Sequence, residues 1–214
     1  MREVVVQGVR YTYDTIGEGF PLVLAPAPEG GREVWTPYRP LLGELCRTIA
    51  YARHSGEETP PQGELPTSTR AADTLGKLLQ VLGLARVYLA SQTGGWPMAL
   101  HFALQHPERL EGLVLLGAHA AALDIAPGVM SLAARLHDIT VPTLVLIEDQ
   151  GHAALPYVEI LAERLPRCTR VVVSDSILAG SAGALALRLG HAMMRFLLHC
   201  ERQRNLVRGA SFLL

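Results

Sequence analysis

The sequence predicts a doubly wound α/β fold, in which a mostly parallel sheet of about eight strands is covered by helices on both faces. Short runs of Val, Leu and Ile alternate along the chain with segments of helical period, which is the pattern of such a fold. Apolar residues make up 49% of the chain and charged residues 18%, which indicates a well-filled interior. The length of 214 residues fits a single domain spanning residues 1–214.

The predicted strands are of two kinds. Residues 4–6 and 11–15 alternate in polarity and predict an opening hairpin. The later runs are continuously apolar, as expected where both faces of a sheet are covered. These later strands are residues 21–24, 48–52, 86–90, 113–116, 144–147 and 170–173.

Predicted helices separate the strands. One begins at Thr67 or Ser68, either of which can cap a helix, and keeps its apolar residues on one face as far as Leu82. The helix over residues 94–106 has Pro97 in its first turn, where a missing N–H costs little. The other helical segments are residues 35–45, 129–137, 153–165 and 185–200.

Charge and composition exclude several classes of function. The formal net charge is −1 and no dense Lys/Arg run is present, so we expect no binding to nucleic acid or to a membrane surface. Residues 177–187 are too few and too rich in Gly and Ser to span a bilayer.

Three scattered cysteines and the lack of a signal-peptide pattern predict a cytoplasmic protein. One lysine against 18 arginines suggests a bacterial source. The histidines and acids lack ligand spacing, so we expect neither a metal nor a cofactor.

The middle of the chain contains VYLASQTGGW at residues 87–96, followed by ALHFAL, HPERL and GLVLLG. These motifs resemble the core of the α/β hydrolases, and the resemblance extends weakly to Gly17-Glu18-Gly19, Trp35 and VPTLVL. It implies hydrolytic chemistry by a Ser-His-Asp triad and a lid after the sixth strand. Only about two dozen residues separate Gly117 from Thr143, so we expect a capless member.

The family's nucleophile sits on a strained strand-to-helix turn that allows only small residues two places on either side. With Gln92 at the apex, those places hold Ala90 and Gly94, which fit. With Ser91 at the apex they hold Leu89 and Thr93, which do not. The spacing therefore places a carboxamide, which cannot be acylated in the usual way, at the catalytic position.

The other two triad positions also lack the expected residues. The resemblance places the acid at Gly151, or at Gln150 with one gap, so that Asp149 falls slightly early. It places the histidine near Leu178, in a segment with no histidine before His191. We therefore expect the triad to be degenerate.

Further candidates follow from the edge of the sheet at which the strands end. Ser91 could be a displaced nucleophile or a small core residue. His119 follows a strand at this edge, and His152, beside Asp149, could be half of an acid/base pair or a solvent-facing residue. The backbone N–H of Thr93, at a helix start, could bind a carbonyl or carboxylate oxygen. The predicted ligand-binding residues are Pro26, Ala27, Glu29, Gln92, Thr93, His119 and Leu178.

Three functions remain open from the sequence. The first is a non-hydrolytic protein that binds a small apolar or carbonyl-containing molecule, or a partner protein, over Gln92. The second is an enzyme of another class, such as an isomerase, lyase or cyclase, that uses Gln92, backbone amides and a pocket histidine. The third is a small esterase-like hydrolase that uses Ser91 with His119 or His152. The apolar residues 212–214 could dock on a second subunit, so a homodimer is also considered.

Overall fold

The computed structural model describes residues 1–26, 31–54, 68–117, 128–149, 155–174 and 182–210. The strands in these ranges are β1 (Arg2–Val6), β2 (Val9–Ile16), β3 (Pro21–Ala25), β4 (Arg47–Arg53), β5 (Val87–Gln92), β6 (Leu110–Gly117), β7 (Thr143–Asp149) and β8 (Cys168–Ser174). They form one sheet in the order β1-β2-β4-β3-β5-β6-β7-β8. The β2 strand is antiparallel to both of its neighbours, and the other pairs are parallel. The predicted sheet of about eight mostly parallel strands is therefore confirmed.

Four of the helices lie between strands along the chain, and the fifth follows β8. They are α1 (Arg39–Gly43), α2 (Ser68–Val81), α3 (Trp96–Gln105), α4 (Leu155–Arg164) and α5 (Ala182–Ala210). Short 3-10 turns cover Arg32–Trp35, Thr93–Gly95, Pro107–Arg109 and Ala133–Asp138. No helix in the described ranges is both long and apolar enough to cross a membrane.

Side chains of the central strands alternate between two hydrophobic layers. In β5, Val87 and Leu89 belong to the layer that contains buried residues of α2 and α3. Tyr88 and Ala90 belong to the opposite layer, which contains buried residues of α1 and α5. Because both faces of β5 are covered, it reads in the sequence as a continuous apolar run.

The helix predicted over residues 35–45 is wrong. The chain instead forms the 3-10 turn Arg32–Trp35 and the short helix α1. Pro37 lies between them, and a proline at an interior helix position removes one hydrogen bond and clashes with the preceding turn. Similarly, the segment predicted as one helix over residues 129–137 consists of helical residues 128–130 and the 3-10 turn Ala133–Asp138.

Helix α5 is longer than the predicted residues 185–200, because it continues to Ala210. The added turns contain no proline, so nothing in them breaks the helix. They are also fixed to the sheet, since the Tyr88 hydroxyl donates a hydrogen bond to Glu201 Oε1 at 2.7 Å. Arg204 lies one turn further along and binds Glu201 Oε2 at 2.6 Å.

Candidate functional site

Gln92 is the last residue of β5, at the carboxyl edge of the sheet. Its neighbour Ser91 pairs in register with Ala25, the last residue of β3, and Gln92 itself pairs with Leu116 of β6. Parallel strands end at the same edge, where open α/β sheets bind their ligands. Gln92 therefore lies at the position where the sequence predicts the apex of the strand-to-helix turn.

The side chain of Gln92 is tied to the segment that precedes α1. Its Nε2 donates a hydrogen bond to the Val34 carbonyl oxygen at 3.3 Å. The carboxamide has two N–H donors and a carbonyl acceptor, so Oε1 and one N–H remain after this bond. Gln92 is partly exposed, and these groups can therefore interact with a bound molecule.

The backbone at this turn differs from the strained turn that the resemblance implies. Among the described residues, Gln7 is the only non-glycine residue with a positive φ, and Gln92 has the backbone of a strand. The change of direction into α3 is spread over the 3-10 turn Thr93–Gly95, which contains two glycines. Gln92 therefore does not adopt the left-handed backbone conformation, which is strained for residues other than glycine.

Ser91 points away from Gln92, as successive residues of a strand do. It is completely buried, with an exposed fraction of 0%. Its Oγ lies 3.3 Å from the Gln92 carbonyl oxygen, and it also faces Gly95, where an added Cβ would collide with it. In this arrangement the hydroxyl is closed off beneath the start of α3 and cannot attack an external molecule.

Two tryptophans bind the ends of the strands on either side of Gln92. Trp35 donates its indole N–H to the Ala25 carbonyl oxygen at 2.9 Å, and Trp96 donates to the Leu116 carbonyl oxygen at 3.2 Å. Both side chains are buried. Each indole thus adds a donor near the carboxyl end of a strand, to Ala25 as the last residue of β3 and to Leu116 as the penultimate residue of β6.

Sequence reasoning missed these supporting contacts. It used Trp35 and Trp96 only as part of a family resemblance, and it did not consider the Val34 carbonyl at all. The available signal was that these are the only two tryptophans of the chain and that each lies in the segment that follows a predicted strand. A buried indole N–H requires an acceptor, and the end of a strand supplies one.

Several predicted residues cannot be placed. Ala27, Glu29, His119, His152 and Leu178 lie outside the described residues, as do Gln150 and Gly151. Of the predicted ligand-binding residues, the structure places Pro26, Gln92 and the backbone of Thr93 at one edge. The Pro26 carbonyl oxygen lies 3.3 Å from the position of a Cβ added to Gly95, so Pro26 packs against the start of α3.

Asp149 is the last residue of strand β7. Because Gln92 pairs with Leu116 and Leu116 pairs with Leu146, Asp149 lies two strands away and three residues further along. At about 3.3 Å per residue and 4.8 Å per strand, the Cα atoms of Gln92 and Asp149 are roughly 14 Å apart. The register therefore does not place these two residues side by side.

The three cysteines are not activated nucleophiles. Burial raises the pKa of the Cys46 thiol to about 12. Burial also raises the pKa values of Cys168 and Cys200 to about 11, although nearby arginines act in the opposite direction. Since the thiolate is the reactive form, none of these cysteines can replace the missing serine at neutral pH.

This property predicts slow alkylation of the native protein. At pH 8, iodoacetamide should modify each thiol at least about a hundredfold more slowly in the native protein than in denaturant, because the ordinary thiol pKa is about 8.5. Mass spectrometry of timed samples measures the rates. A thiol that reacts equally fast in the native and denatured protein would contradict the prediction.

Solved structures identify the fold that these features define. A thermophilic esterase from Thermogutta terrifontis is similar with a TM-score of 0.76 and 19% identity, covering 94% of this chain and 99% of that chain. The meta-cleavage product hydrolase CumD of Pseudomonas fluorescens IP01 is similar with a TM-score of 0.73 and 15% identity, covering 93% and 98%. The chain has the α/β-hydrolase fold, as the resemblance implied.

Sequence similarity to named proteins is more distant. No protein-family model matches the chain. It is 28% identical over 132 residues to the 2-hydroxymuconate semialdehyde hydrolase of Pseudomonas sp. (strain CF600), covering 59% of this chain and 46% of that protein. The chain thus spans about half the length of the curated relatives it matches. These relatives are hydrolases by name.

Proposed function

We propose that this chain binds a small, largely apolar, carbonyl-containing molecule over Gln92 and does not hydrolyse it through a Ser-His-Asp triad. The observation that carries the proposal is the residue at the end of β5. Gln92 has no nucleophilic oxygen or sulfur, and its side chain already binds the Val34 carbonyl oxygen. Its neighbour Ser91 is closed off under α3.

The polar groups left at this edge suit a carbonyl ligand. The second N–H of the Gln92 carboxamide and the Thr93 backbone N–H are donors, and the latter begins the turn that leads into α3. Donors at the start of a helix favour a carbonyl or carboxylate oxygen. Gln92 Oε1 is an acceptor for a ligand hydroxyl or N–H. The site thus retains the means to bind an acyl group without the means to cleave it.

The alternative is a hydrolase, which the names of the relatives favour. Hydrolysis by this chain would require Ser91 to become accessible, with His119 or His152 as the base. A non-hydrolytic enzyme that uses Gln92, backbone amides and a pocket histidine is the other alternative. The two alternatives differ from simple binding in that each converts the bound molecule into a product.

A serine-directed fluorophosphonate probe tests the proposal. We expect no labelling of the wild-type protein and no release of nitrophenol from p-nitrophenyl butyrate. The Ser91→Ala variant is the matched control, since it removes the candidate serine next to Gln92 and should give the same result. Labelling of the wild type that is lost in Ser91→Ala would establish the hydrolase instead.

A titration tests binding by the same site. Isothermal titration calorimetry with ethyl butyrate should show binding that weakens about tenfold in Gln92→Leu, because a buried hydrogen bond to the ligand is lost. Gln105→Leu, at an exposed position at the end of α3, should retain the wild-type affinity. Equal affinities of the two variants would contradict a role for Gln92, and conversion of the ester would favour an enzyme.

A further inference from the structure

A second cleft lies at the amino edge of the sheet, opposite Gln92. Its volume is about 780 Å³, which is within the usual range for small-molecule sites. The first residues of β6 and β8, the segment before β7 and the later turns of α5 enclose it. We call it the basal cleft and define it by Glu111, Val141, Arg167, Phe196 and Arg204. A strand of six residues spans about 20 Å, so the basal cleft is separate from the site over Gln92.

The charged groups of the basal cleft are mainly basic. Arg86, Arg167 and Arg204 line it, whereas Glu111 is the only carboxylate among its lining residues in the described part of the chain. His199 lines it as well. Glu201 lies outside this lining but pairs with Arg204, so the excess is one positive charge, that of Arg167. A concave surface with an excess of positive charge attracts anions, because the surrounding protein concentrates the field.

Two of these guanidinium groups are held in place before any ligand arrives. Glu111 Oε1 binds Arg86 Nε at 3.3 Å and Arg204 Nη1 at 3.4 Å, so a single oxygen fixes both. Glu201 Oε2 binds Arg204 Nη2 at 2.6 Å, and Glu201 Oε1 accepts the Tyr88 hydroxyl. Side chains that are already ordered lose little entropy on binding.

The arginines of the basal cleft are not fully satisfied by these contacts. The Nε of Arg204 is buried and has no hydrogen-bond partner among the described residues. Arg167 is exposed at the start of β8, and no described carboxylate forms an ion pair with it. Buried donors without partners are rare in folded proteins, so the guanidinium of Arg204 retains hydrogen-bonding capacity beyond its two carboxylate contacts.

The remaining wall of the basal cleft is apolar. Leu110, Val141 and Phe196 line it, and each is more than nine-tenths buried. An inorganic anion would leave this wall in contact with water, whereas a ligand with a hydrocarbon or aromatic body would cover it. The combination of an apolar wall and fixed guanidinium groups selects an amphiphilic anion.

We propose that the basal cleft binds a small organic carboxylate, with its apolar body against Phe196 and Val141 and its carboxylate between Arg167 and Arg204. Guanidinium groups bind carboxylates through paired, charge-assisted hydrogen bonds. The proposal does not depend on the function of the site over Gln92, because the two sites lie at opposite edges of the sheet and share no residue.

Calorimetric titration with benzoate tests the basal cleft. We expect benzoate to bind the wild-type protein, and we expect the affinity to fall about tenfold in Arg167→Gln, which removes one charge-assisted contact. Arg195→Gln removes the same charge and is the matched control. Arg195 is exposed on helix α5, which forms part of the cleft wall, but Arg195 itself does not line the cleft. This variant should bind benzoate as the wild type does.

Two further ligands separate the contributions of charge and apolar surface. Benzamide has the same ring without the charge and should bind about tenfold more weakly than benzoate. Inorganic phosphate, which has charge without an apolar body, should also bind more weakly. The proposal is overturned if benzoate does not bind or if Arg167→Gln retains full affinity. Phosphate binding as tight as that of benzoate would overturn the ligand class.

Discussion

Gly17→Ala is expected to lower the free energy of unfolding by about 3 kcal/mol or more, because two costs add at this position. Gly17 has a φ of +83°, in the left-handed region that favours glycine. A Cβ added there would also collide with the backbone carbonyl oxygens of Gly43 and Cys46, which cannot move as a side chain can. Urea denaturation followed by circular dichroism measures the change.

Gly8 provides the matched control for Gly17. It has a φ of +80°, but an added Cβ would have no heavy atom within 4 Å. Gly8→Ala should therefore lower the free energy of unfolding only by the cost of placing alanine in the left-handed backbone region, about 1 kcal/mol. Asn tolerates the left-handed region, so Gly8→Asn should be nearly neutral whereas Gly17→Asn should remain destabilised. Equal losses in Gly17→Ala and Gly8→Ala would show that the collision with Gly43 and Cys46 has no effect.

The strands could be predicted because their signals are local. Residues 86–90 and 113–116 form apolar runs of strand length, and both faces of the resulting strands β5 and β6 are covered in the structure. The order of the strands in the sheet was not predicted, because it depends on pairing between segments that are distant in the chain. The helix predicted over residues 35–45 was wrong, because Pro37 separates the 3-10 turn Arg32–Trp35 from the short helix α1.

The extension of α5 could not be predicted in the same way. The contact that fixes it joins Tyr88 to Glu201, two residues that are 113 positions apart. Local propensity allows a helix beyond Cys200 but does not require one. Only the packing of the helix against the sheet determines that the added turns are ordered.

In the candidate site, too, local features could be predicted from the sequence and long-range contacts could not. The small residues Ala90 and Gly94 predicted Gln92 as the apex of the turn after the strand, and this needed only the local spacing; in the structure Gln92 is the last residue of β5. The partner of Gln92 is the Val34 carbonyl, 58 positions away in a segment without a recognisable motif. A hydrogen bond to a backbone carbonyl leaves no trace in side-chain identity, so sequence reasoning cannot find it.

These contacts connect the position of the Gln92 carboxamide to the packing of Trp35. Trp35 is completely buried and forms an edge-to-face pair with Tyr38, with the ring centroids 6.0 Å apart. Its indole N–H binds the end of β3, and its preceding residue, Val34, supplies the carbonyl that binds Gln92. The position of that carbonyl therefore depends on the position of the indole ring.

Trp35→Ala is accordingly expected to lower the free energy of unfolding by about 3–5 kcal/mol, the usual cost of deleting a buried aromatic side chain. That is a large share of the total stability of an ordinary domain, about 5–15 kcal/mol. Trp35→Phe is the milder variant, and it should cost about 1–3 kcal/mol because the Ala25 carbonyl loses its donor while most of the ring remains. Urea denaturation measures both values.

A second measurement separates the effect on Gln92 from the effect on stability. The side-chain amide signals of Gln92 in a nitrogen–proton correlation spectrum should shift in Trp35→Phe, because the Val34 carbonyl moves with the altered ring. Trp96→Phe loses the equivalent hydrogen bond to Leu116 on the other side of β5 and is the matched control. It should leave the Gln92 signals closer to their wild-type positions. The reason is that Val34 is adjacent to Trp35 in the chain, whereas Trp96 binds Leu116. Equal shifts in the two variants would mean that general loosening of the edge, rather than the Trp35–Val34 connection, governs the carboxamide.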